Sequence, residues 1–558
     1  MKKPWLDQYD KFVPRSLPYS NLNIPQVLER SVQNNPEQVC LRYLEQSITY
    51  WQVAEASDNL AKWLTFSGYE QDDKIGLVFP NSPQFVIAFF AILKIGGIVV
   101  AMNPMYKAPE FSRIITECDV KCILCMEDMV SVLQSLPLEN PIHRIFACTS
   151  DDFSSNLPTG NITKKRIMDR DVASIAPVMQ FRECMETSIE NIELDYSYSN
   201  DRPAVFQYSG GTTGTPKAAI GLHRNIVANT MQFLTWCDLQ PLDEVFLAAI
   251  PLYHVYGMVL AMVLGIRISA TIVLVPDIRN MEYLLGLIEK ERVTFFPGVP
   301  NIYASIIQTP AVKQGKFDLS SIKACISGSA PLLPVVKQTF EELTGGKLVE
   351  GYGLSEAPTA THCNPLYGKN KPGSFGLPLP DVDCRIVDVE DDTKIVRDGS
   401  NGELLIKGPQ IMSAYFNDAE ESQLALKNGW LHTGDIVRMD DEGYFYFIER
   451  KKDLIKVGGF QVWPNEIETV ILSIKGIKSV VVAGVLDERG DENVIAWVIK
   501  GEGQKISKER IINVCRENLT AYKIPQEIIF ITQIPRTGVG KVLRRELVRQ
   551  YLDEKKRS

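Results

Sequence analysis

The chain has 558 residues, a length that predicts two to four domains. Its 45% hydrophobic and 23% charged residues are typical of a globular protein and exclude a disordered or fibrous chain. A net charge of −9 argues against a nucleic-acid-binding protein, which needs a broad basic surface.

The first 450 residues predict repeated units of a β-strand followed by an α-helix. Residues 74–79 form a short apolar run, and the amphipathic segment 82–93 follows it. Similar apolar runs bounded by Gly, Pro or Ser recur at 270–275, 293–296 and 324–327. This alternation predicts an α/β fold in which a large N-terminal body contains layered, largely parallel sheets.

Two longer apolar stretches, 85–102 and 255–276, approach the length of a membrane span. Lys94 interrupts the first stretch and Arg267 interrupts the second. Each stretch is therefore predicted to be a buried helix followed by a buried strand. Residues 1–19 carry charges and prolines where a secretory signal is apolar, which predicts a cytoplasmic protein.

The eleven cysteines are scattered and odd in number, which favours reduced thiols over a disulfide framework. Cys118, Cys122 and Cys125 have a spacing that can hold an iron-sulfur cluster. Residues 121–126, however, predict a strand, on which successive side chains point to opposite faces and do not converge on a metal. The five histidines show no zinc-ligand spacing, so no structural zinc is predicted.

The pattern changes between residues 436 and 459. Residues 440–443 predict a turn between two strands, and 449–453 is a dense run of charges. We predict an N-terminal domain over 1–448, a hinge over 449–453 and a C-terminal α+β lid domain over 454–558. From Asp453 onward 18 basic and 14 acidic side chains give a positive balance, which suits a lid over a phosphate-rich ligand.

Within the lid, a helix is predicted to start at Pro464, with Ile467, Val470, Ile471 and Ile474 on its apolar face. Residues 479–483 predict a strand.

A segment rich in glycine and hydroxyl groups follows the apolar run 204–206. Its glycines let backbone N–H groups approach phosphate oxygens, and its hydroxyls and lysine supply further donors and a charge. It is not a Walker A loop, because its lysine stands three positions after Gly214 and follows Pro216. Gly540-Lys541 fails the same test at Val542. The segment reads Tyr208-Ser209-Gly210-Gly211-Thr212-Thr213-Gly214-Thr215-Pro216-Lys217.

With this loop and further motifs in order, the chain resembles the adenylate-forming superfamily of acyl-CoA synthetases, adenylation domains and luciferases. Within it, the chain is most similar to the long-chain fatty acid-CoA ligases. The further motifs are Pro251-Leu252-Tyr253-His254, Ser327-Gly328-Ser329-Ala330-Pro331, Gly351-Tyr352-Gly353-Leu354-Ser355-Glu356, His432-Thr433-Gly434-Asp435, Arg450-Lys451-Lys452-Asp453, Gly458-Gly459-Phe460 and Pro535-Arg536-Thr537-Gly538-Val539-Gly540-Lys541.

The resemblance implies a site for ATP and AMP. Thr212, Thr213 and Lys217 would hold the β- and γ-phosphates, and Glu356 would bind Mg²⁺. Tyr352 would stack on adenine, and Asp435 would accept from both ribose hydroxyls. The implied nucleotide-binding residues are Ser209, Gly210, Gly211, Thr212, Thr213, Gly214, Thr215, Lys217, Ser329, Ala330, Pro331, Gly351, Tyr352, Gly353, Ser355, Asp435, Arg450 and Lys541. Ser355 stands where the family usually has threonine, and it keeps the hydroxyl.

The resemblance also implies the catalytic and coenzyme A residues. Lys541 would place a cation between the carboxylate and the α-phosphate, and Thr212, Glu356 and His254 complete the implied catalytic set. Lys452 matches the hinge position of a lid that rotates between two half-reactions. The coenzyme A residues would be Gly458, Gly459 and Phe460.

The implied function is a ligase of fatty acid metabolism with ATP, Mg²⁺ and coenzyme A as cofactors and co-substrates. A medium- to long-chain fatty acid would form acyl-AMP with release of pyrophosphate, and coenzyme A would then displace AMP. An acyl-AMP ligase that delivers to a carrier protein is an alternative, but its usual insertion near the domain boundary is absent between 435 and 464. An aryl- or short-chain-CoA ligase stays open.

A non-catalytic module is disfavoured because Lys217, Glu356 and Lys541 are all present. A homodimer and peripheral contact with the inner membrane face are compatible with the sequence.

Overall fold

Two large sheets and their helices form most of the protein, which the computed structural model describes over residues 3–138, 142–149, 178–186, 189–208, 216–457, 460–486, 492–501, 503–536 and 542–557. The strands in these ranges are β1 Val39–Tyr43, β2 Gln46–Thr49, β3 Lys74–Val78, β4 Ile98–Ala101, β5 Val120–Met126, β6 Arg144–Cys148, β7 Val178–Gln180, β8 Pro203–Tyr208, β9 Ala218–Leu222, β10 Val245–Ala248, β11 Thr271–Leu274, β12 Phe295–Gly298, β13 Ala324–Ser327, β14 Lys347–Tyr352, β15 His362–Cys363, β16 Leu377–Pro378, β17 Asp383–Val387, β18 Gly402–Lys407, β19 Leu426–Lys427, β20 Trp430–Met439, β21 Phe445–Arg450, β22 Ile455–Val457, β23 Phe460–Val462, β24 Ile477–Leu486, β25 Glu492–Lys500 and β26 Glu527–Phe530.

The helices separate these strands along most of the chain. They are α1 Ile24–Asn34, α2 Tyr50–Phe66, α3 Pro83–Lys94, α4 Ala108–Cys118, α5 Val130–Gln134, α6 Phe181–Glu186, α7 His223–Trp236, α8 Val255–Gly257, α9 Leu264–Arg267, α10 Met281–Glu291, α11 Pro300–Gln308, α12 Pro310–Lys313, α13 Pro334–Thr344, α14 Ala419–Ala425, α15 Pro464–Leu472, α16 Lys508–Asn518 and α17 Arg544–Arg557, with a π-helical segment Met258–Val263 between α8 and α9 and 3₁₀ turns at Pro4–Asp7, Glu127–Met129 and Ala521–Lys523.

The two largest sheets are mainly parallel, as predicted. The nine-stranded sheet has the order β16-β15-β14-β13-β12-β10-β11-β1-β2, and β1 pairs in parallel with β11. The seven-stranded sheet has the order β7-β6-β5-β3-β4-β8-β9. Near-continuous apolar strands in both sheets fit parallel strands covered by helices on both faces.

The first long apolar stretch is a buried helix followed by a buried strand, as predicted. Every residue of α3 is buried, and β4 follows it. Lys94, at the end of α3, is accommodated because its Nζ donates to Asp58 Oδ1 at 2.5 Å, Ser57 Oγ at 3.0 Å and the Ala54 carbonyl at 3.3 Å. Burial lowers the pKa of Lys94. The Lys94 ammonium is therefore buried with its hydrogen-bond donors paired, and it does not end the buried segment.

The second long apolar stretch runs through α8, the π-helical segment and α9 into β11, which again confirms a buried helix followed by a buried strand. Among the described residues, no helix combines the length and apolar character that crossing a membrane requires.

The predicted strand at residues 121–126 is confirmed as β5. Cys122 packs in the main core of the body, whereas Cys125 packs with Cys118 in a smaller core on the other side of the sheet. All eleven cysteines are free and buried, and burial raises the pKa of Cys118 to about 11. The alternation of side chains along the strand accounts for this separation.

The C-terminal part has its own sheets and core. A five-stranded sheet, β17-β18-β20-β19 with β21 paired to β20, completes the body, and the predicted turn at 440–443 connects β20 to β21. Beyond it lie the hairpin β22-β23 and the sheet β24-β25-β26. The predicted helix is α15, in which Ile467 and Ile471 are fully buried, and the predicted strand is β24. The fold is therefore α/β, with a large layered body and a small C-terminal domain.

Candidate active site

Most of the described site residues follow the carboxyl ends of strands in the nine-stranded sheet. Ser329 follows β13, Tyr352 ends β14, and His254 lies six residues after β10. These strands run parallel, with Ser327 of β13 opposite Glu350 of β14. The carboxyl ends of parallel strands share one edge, which is the usual position of a ligand site in α/β sheets.

Tyr352 presents an aromatic surface at this edge. Phe375 stacks on its ring with 4.5 Å between centroids and 29° between planes. The Tyr352 hydroxyl donates to Asp435 Oδ2 at 2.5 Å. Burial, together with the charge of Asp435, raises the pKa of Tyr352, so the hydroxyl stays a donor. The ring is thus fixed on one face and at its hydroxyl, and its other face suits a stacked base.

Asp435 and Arg450 form a cross-strand ion pair between β20 and β21. The two residues stand directly opposite each other, and Arg450 Nε lies 2.7 Å from Asp435 Oδ1. Burial opposes the charge of Arg450, but Asp435, Tyr352, Glu356 and Asp453 together outweigh burial, and the pKa of Arg450 is raised.

The same aspartate keeps an acceptor position open. Its side chain is fully buried, yet no described residue donates a well-aligned hydrogen bond to Oδ1. Arg450 is close enough to Oδ1 for charge attraction, but its N–H does not point at that oxygen. A buried carboxylate oxygen with an unused acceptor position fits a ligand hydroxyl.

The turn after β14 requires glycine at one position. A Cβ on Gly353 would lie 1.9 Å from the Thr359 carbonyl oxygen, so no larger residue fits. Nearby, Ser329 adopts a left-handed φ of 70°, which is uncommon for a residue other than glycine. Glu350 joins this turn region to its surroundings by accepting from the backbone N–H groups of Leu332 and Gly373.

Glu356 is oriented by a residue that sequence reasoning did not single out. Tyr415 donates its hydroxyl to Glu356 Oε1 at 2.9 Å. The Met412 amide donates to the Glu356 carbonyl at 2.8 Å. The carboxylate is half-buried, and among the described residues no recorded hydrogen bond or ion pair involves its Oε2.

Lys217 is held by acidic side chains around the start of α14. Its Nζ lies 2.7 Å from Glu421 Oε2 and 3.8 Å from Asp418 Oδ2. The same Nζ lies 5.7 Å from the centre of the Tyr415 ring. Glu356 and Lys217 are therefore both connected to the segment around Tyr415.

His254 lies in a different part of the edge. Its Nδ1 accepts from the Tyr256 amide at 3.2 Å, and it caps the start of α8. Buried Asn81 fixes the segment before it, because its Nδ2 donates to the Ala248 and Ile250 carbonyls and its Oδ1 accepts from the Leu252 amide. His254 is half-buried, and its ring acts as a structural cap of this helix start.

The predicted hinge is surrounded by a buried network of charges. Burial lowers the pKa of Lys452 to about 7. Arg544, at the start of α17, lies 3.7 Å from Glu449, 3.3 Å from Asp453 and 3.0 Å from Glu468. Burial raises the pKa of Glu449 to about 7, against the opposing charge of Arg544. One guanidinium thus connects β21, the segment after it and α15.

The remaining predicted site residues fall into two groups. Gly351, Ser355 and Ala330 are half-buried at the same edge, and Pro331 is exposed there. For Phe460 the structure describes the backbone, as the first residue of β23. The residues that lie outside the described ranges are Ser209, Gly210, Gly211, Thr212, Thr213, Gly214, Thr215, Gly458, Gly459 and Lys541.

The structure thus links Tyr352, Asp435 and Arg450 through the Asp435 carboxylate. Lys452 lies within reach of the charges of Arg450 and Asp435, whereas His254 has its own set of neighbours. Sequence reasoning missed Phe375 and Tyr415. An aromatic residue among Gly373, Ser374 and Gly376 was a usable signal for Phe375. No local pattern connects Tyr415 to Glu356, 59 residues away.

Known proteins resemble this chain over nearly its whole length. Family models described as "AMP-binding enzyme" and "AMP-binding enzyme C-terminal domain" match residues 28–416 and 466–541. A Bacillus subtilis protein named "Long-chain-fatty-acid--CoA ligase" is 36% identical over 554 residues, covering 98% of each chain. An Escherichia coli O6:H1 protein of the same name is 31% identical over 557 residues, again covering 98% of each chain.

A solved structure titled "Mycobacterium tuberculosis fatty acyl CoA synthetase" superposes with a TM-score of 0.74 and 25% identity, covering 95% of this chain and 98% of that one. With a family model matched over more than half of its length, the chain belongs to the AMP-binding enzyme family.

Proposed function

We propose that this protein activates a medium- to long-chain fatty acid with ATP and transfers the acyl group to coenzyme A. In the first step a carboxylate oxygen attacks the α-phosphorus, and the bond to pyrophosphate breaks. In the second step the thiol sulfur of coenzyme A attacks the acyl carbon, AMP leaves, and the thiol proton is released. The observation that carries the proposal is the set Tyr352, Asp435 and Arg450, with its buried acceptor oxygen.

Nucleotide binding follows from this set. The face of Tyr352 opposite Phe375 stacks on adenine, and Ser329, Ala330 and Pro331 line the other side of the base. Asp435 Oδ1 accepts a ribose hydroxyl, while Oδ2 already accepts from Tyr352. Arg450 pairs with Asp435 and adds a second ribose contact.

The remaining nucleotide contacts come from the phosphate loop and the turn after β14. Gly351 and Gly353 let the backbone approach the nucleotide, and Ser355 offers a hydroxyl to the α-phosphate. Thr212, Thr213 and Lys217 hold the β- and γ-phosphates, and the other residues of 209–215 complete the nucleotide-binding loop.

Glu356 is the proposed Mg²⁺ ligand, and the chemistry of the site fits this ion. Mg²⁺ is usually bound by one or two carboxylates together with substrate phosphates and waters. Tyr415 donates to Oε1 of Glu356, so the carboxylate would hold the ion chiefly through its other oxygen. The bound ion supplies charge neutralisation to the phosphates; orientation of the carboxylate is the task of Tyr415.

The chemical steps are assigned to residues implied by the family resemblance. Lys541 neutralises the like charges of the fatty acid carboxylate and the α-phosphate as they approach, and Thr212 supports the phosphates. His254 guides the acid or the thiol at the mouth of the acyl pocket. Gly458, Gly459 and Phe460 line the path of the pantetheine arm, where glycine permits close approach.

We also propose the domain division 1–448, 449–453 and 454–558, with Lys452 in the hinge. The separation of the hydrophobic cores supports it, because the two cores of the C-terminal part use residues from Ile455 to Tyr551 and the body cores use residues up to Phe447. Rotation of the C-terminal domain about the hinge would allow one surface to serve both half-reactions.

The choice of acid and acceptor is supported by the relatives. Proteins of Bacillus subtilis and Escherichia coli that this chain matches over 98% of its length are named for long-chain fatty acids and for CoA. A carrier protein as acceptor, or an aryl or short-chain acid as substrate, is the alternative to be tested. We propose further that the protein works in the cytoplasm, as a monomer or homodimer, with peripheral contact to the membrane that supplies its lipid-like substrate.

One assay tests the proposal. Purified protein is given ATP, Mg²⁺ and a panel of saturated acids from 2 to 18 carbons plus aryl acids, with either coenzyme A or an acyl carrier protein. We expect AMP, pyrophosphate and a coenzyme A thioester in equal amounts, with the highest kcat/KM for acids of medium or long chain. Acyl-AMP without a coenzyme A thioester would refute the acceptor, and ADP as product would refute adenylation.

A further inference from the structure

A short segment connects both groups assigned to the triphosphate end of the site. Residues 412–422, named here the bracket, follow β18 and include the first turn of α14. Tyr415 of the bracket donates to Glu356 Oε1 at 2.9 Å, and Glu421 of the bracket pairs with Lys217 at 2.7 Å. Asp418 adds a second carboxylate 3.8 Å from the same ammonium.

Backbone hydrogen bonds fix the bracket against the strand that follows the phosphate loop. The Phe416 amide donates to the Ala218 carbonyl at 2.8 Å, and the Ile220 amide donates to the Ala414 carbonyl at 2.9 Å. Ser422 Oγ accepts from the Tyr415 amide at 2.9 Å. The carboxylates of the bracket are therefore held in register with Lys217 rather than placed there by a flexible loop.

The carboxylates of Glu421 and Asp418 lie beside Lys217, which is not expected of a lysine whose only role is to bind phosphate. Glu421 is a fixed anion that competes with ATP for the lysine ammonium, and it would lie close to the bound phosphates. The pair is about one-third exposed, with side-chain exposures of 28% for Lys217 and 39% for Glu421. An ion pair at such exposure is weak enough to exchange and strong enough to change affinity.

We propose that Glu421, supported by Asp418, is a positioning residue that holds Lys217 between turnovers and exchanges it with the triphosphate of ATP. This inference rests on the proposed function. When ATP binds, the lysine leaves the carboxylate for the phosphates. After adenylate formation, the Glu421 carboxylate pairs with Lys217 again. This weakens the interaction of Lys217 with pyrophosphate and favours release of the product.

The test replaces Glu421 by Gln, which keeps the size of the side chain and removes its charge. We expect Glu421→Gln to lower the ATP KM and the inhibition constant of pyrophosphate together, each by about two- to fivefold, because a weak competing ion pair is removed. The KM for the fatty acid should stay the same. Where pyrophosphate release limits turnover, kcat falls as the inhibition constant falls.

Glu420→Gln is the matched control. Glu420 is the exposed neighbour of Glu421 on α14, and its replacement changes the net charge equally. A long-range electrostatic effect would change the ATP KM and the pyrophosphate inhibition constant equally in both variants. A specific ion pair with Lys217 predicts that these constants change only in Glu421→Gln. The effect of Glu421→Gln should also vanish in a Lys217→Met background, which a merely structural role of Glu421 would not produce.

The outcomes separate this inference from the proposed function. Equal ATP KM and pyrophosphate inhibition in Glu421→Gln and Glu420→Gln, with an active wild-type enzyme, overturn the inference alone. A wild-type protein that forms no AMP from any acid overturns the proposed function. Thermal unfolding of all variants is measured in parallel. An unchanged melting temperature, together with the joint decrease in ATP KM and pyrophosphate inhibition constant, supports the exchange of Lys217 between Glu421 and ATP.

Discussion

The two oxygens of Asp435 have different neighbours, because Oδ2 accepts from Tyr352 and Oδ1 lies beside Arg450, where we propose that it also accepts from the ribose. We predict that Asp435→Asn raises the ATP KM by about 10- to 100-fold, since hydrogen bonds to a charged group contribute about 1.5–3 kcal/mol. The KM for the fatty acid should change much less. Initial rates with ATP varied at saturating acid and coenzyme A measure the effect.

Tyr352→Phe is the control for that measurement. It removes the hydroxyl that donates to Asp435 and keeps the ring that stacks on Phe375. Its ATP KM should lie between those of the wild type and Asp435→Asn. If Asp435→Asn instead raises the KM for the fatty acid and leaves that for ATP unchanged, the assignment of Asp435 to ribose is wrong.

Lys452 provides a second prediction for a single residue. Because burial lowers its pKa to about 7, its neutral, nucleophilic fraction rises about tenfold between pH 6 and pH 8 and then levels off. For an ordinary lysine, with a pKa of about 10.4, the neutral fraction rises about 100-fold over the same range and continues to rise above pH 8. Modification by a limiting amine-directed reagent, quantified for each lysine by mass spectrometry, distinguishes the two profiles.

The profile of Lys452 must plateau for this prediction to hold. A rate that still increases tenfold per pH unit at pH 9 would show that the ammonium is as stable as in water. The remaining exposed lysines of the same sample serve as internal controls.

At the scale of elements, the start of α17 connects three parts of the protein. Arg544 pairs with Glu449 at the end of β21, with Asp453 in the segment between β21 and β22, and with Glu468 on α15. We predict that Arg544→Gln lowers the stability of the C-terminal domain by about 3 kcal/mol. The loss of the guanidinium leaves the buried carboxylates without their positively charged partner. Amide hydrogen exchange in α17 and β24 should become about 100-fold faster.

Arg549→Gln is the control on the same helix. Arg549 pairs with Glu546 one turn away, and 69% of its side chain is exposed. Such a pair contributes about 0.5 kcal/mol, so exchange in α17 should change little. Equal acceleration in both variants would mean that Arg544 contributes no more than an ordinary surface charge.

Elements with a strong local pattern could be predicted from the sequence. The alternation that gave β3, α3 and β4, the turn at 440–443 and the apolar face of α15 are all properties of neighbouring residues. Pairings between distant segments left no such pattern. The contact of Arg544 with Glu449 joins residues 95 positions apart, and the order of strands in each sheet is set by packing of the whole body.

The same division applies to the site. Tyr352, Asp435 and Arg450 were identified by motif, and the structure places them in contact. Phe375 and Tyr415, which orient them or their neighbours, were not identified, because a supporting contact depends on three-dimensional position rather than on residue type.

At the scale of the whole molecule, a buried histidine makes stability depend on pH. His223 is fully buried, its Nδ1 accepts from the Ile24 amide at 3.2 Å, and burial lowers its pKa to about 3. Between about pH 3 and 6.5 the unfolded chain binds the proton and the folded chain does not. Stability is therefore lost as the pH falls through this window.

We predict that His223 accounts for about 2 kcal/mol of the loss in unfolding free energy between pH 7 and pH 5. His223→Asn keeps an acceptor for the Ile24 amide and removes the titrating ring, so the variant should lose about 2 kcal/mol less over this range. Urea unfolding at both pH values gives the difference, in which the contributions of all other groups cancel.

His143→Asn is the control, because His143 is exposed. Its pH-dependent loss should match that of the wild type. If His223→Asn also matches the wild type, the buried ring does not titrate differently in the folded and unfolded chains.

The position of β1 and β2 at the end of the nine-stranded sheet has a consequence for synthesis. β1 reaches the ribosome exit long before β11, its parallel partner, because Thr49 and Thr271 are separated by more than 200 residues. At roughly 5–20 residues per second, the N-terminal hairpin waits on the order of 10–40 s with an unpaired edge. Nascent chains are therefore most exposed to misassociation during this interval, and slow translation upstream of β11 prolongs it.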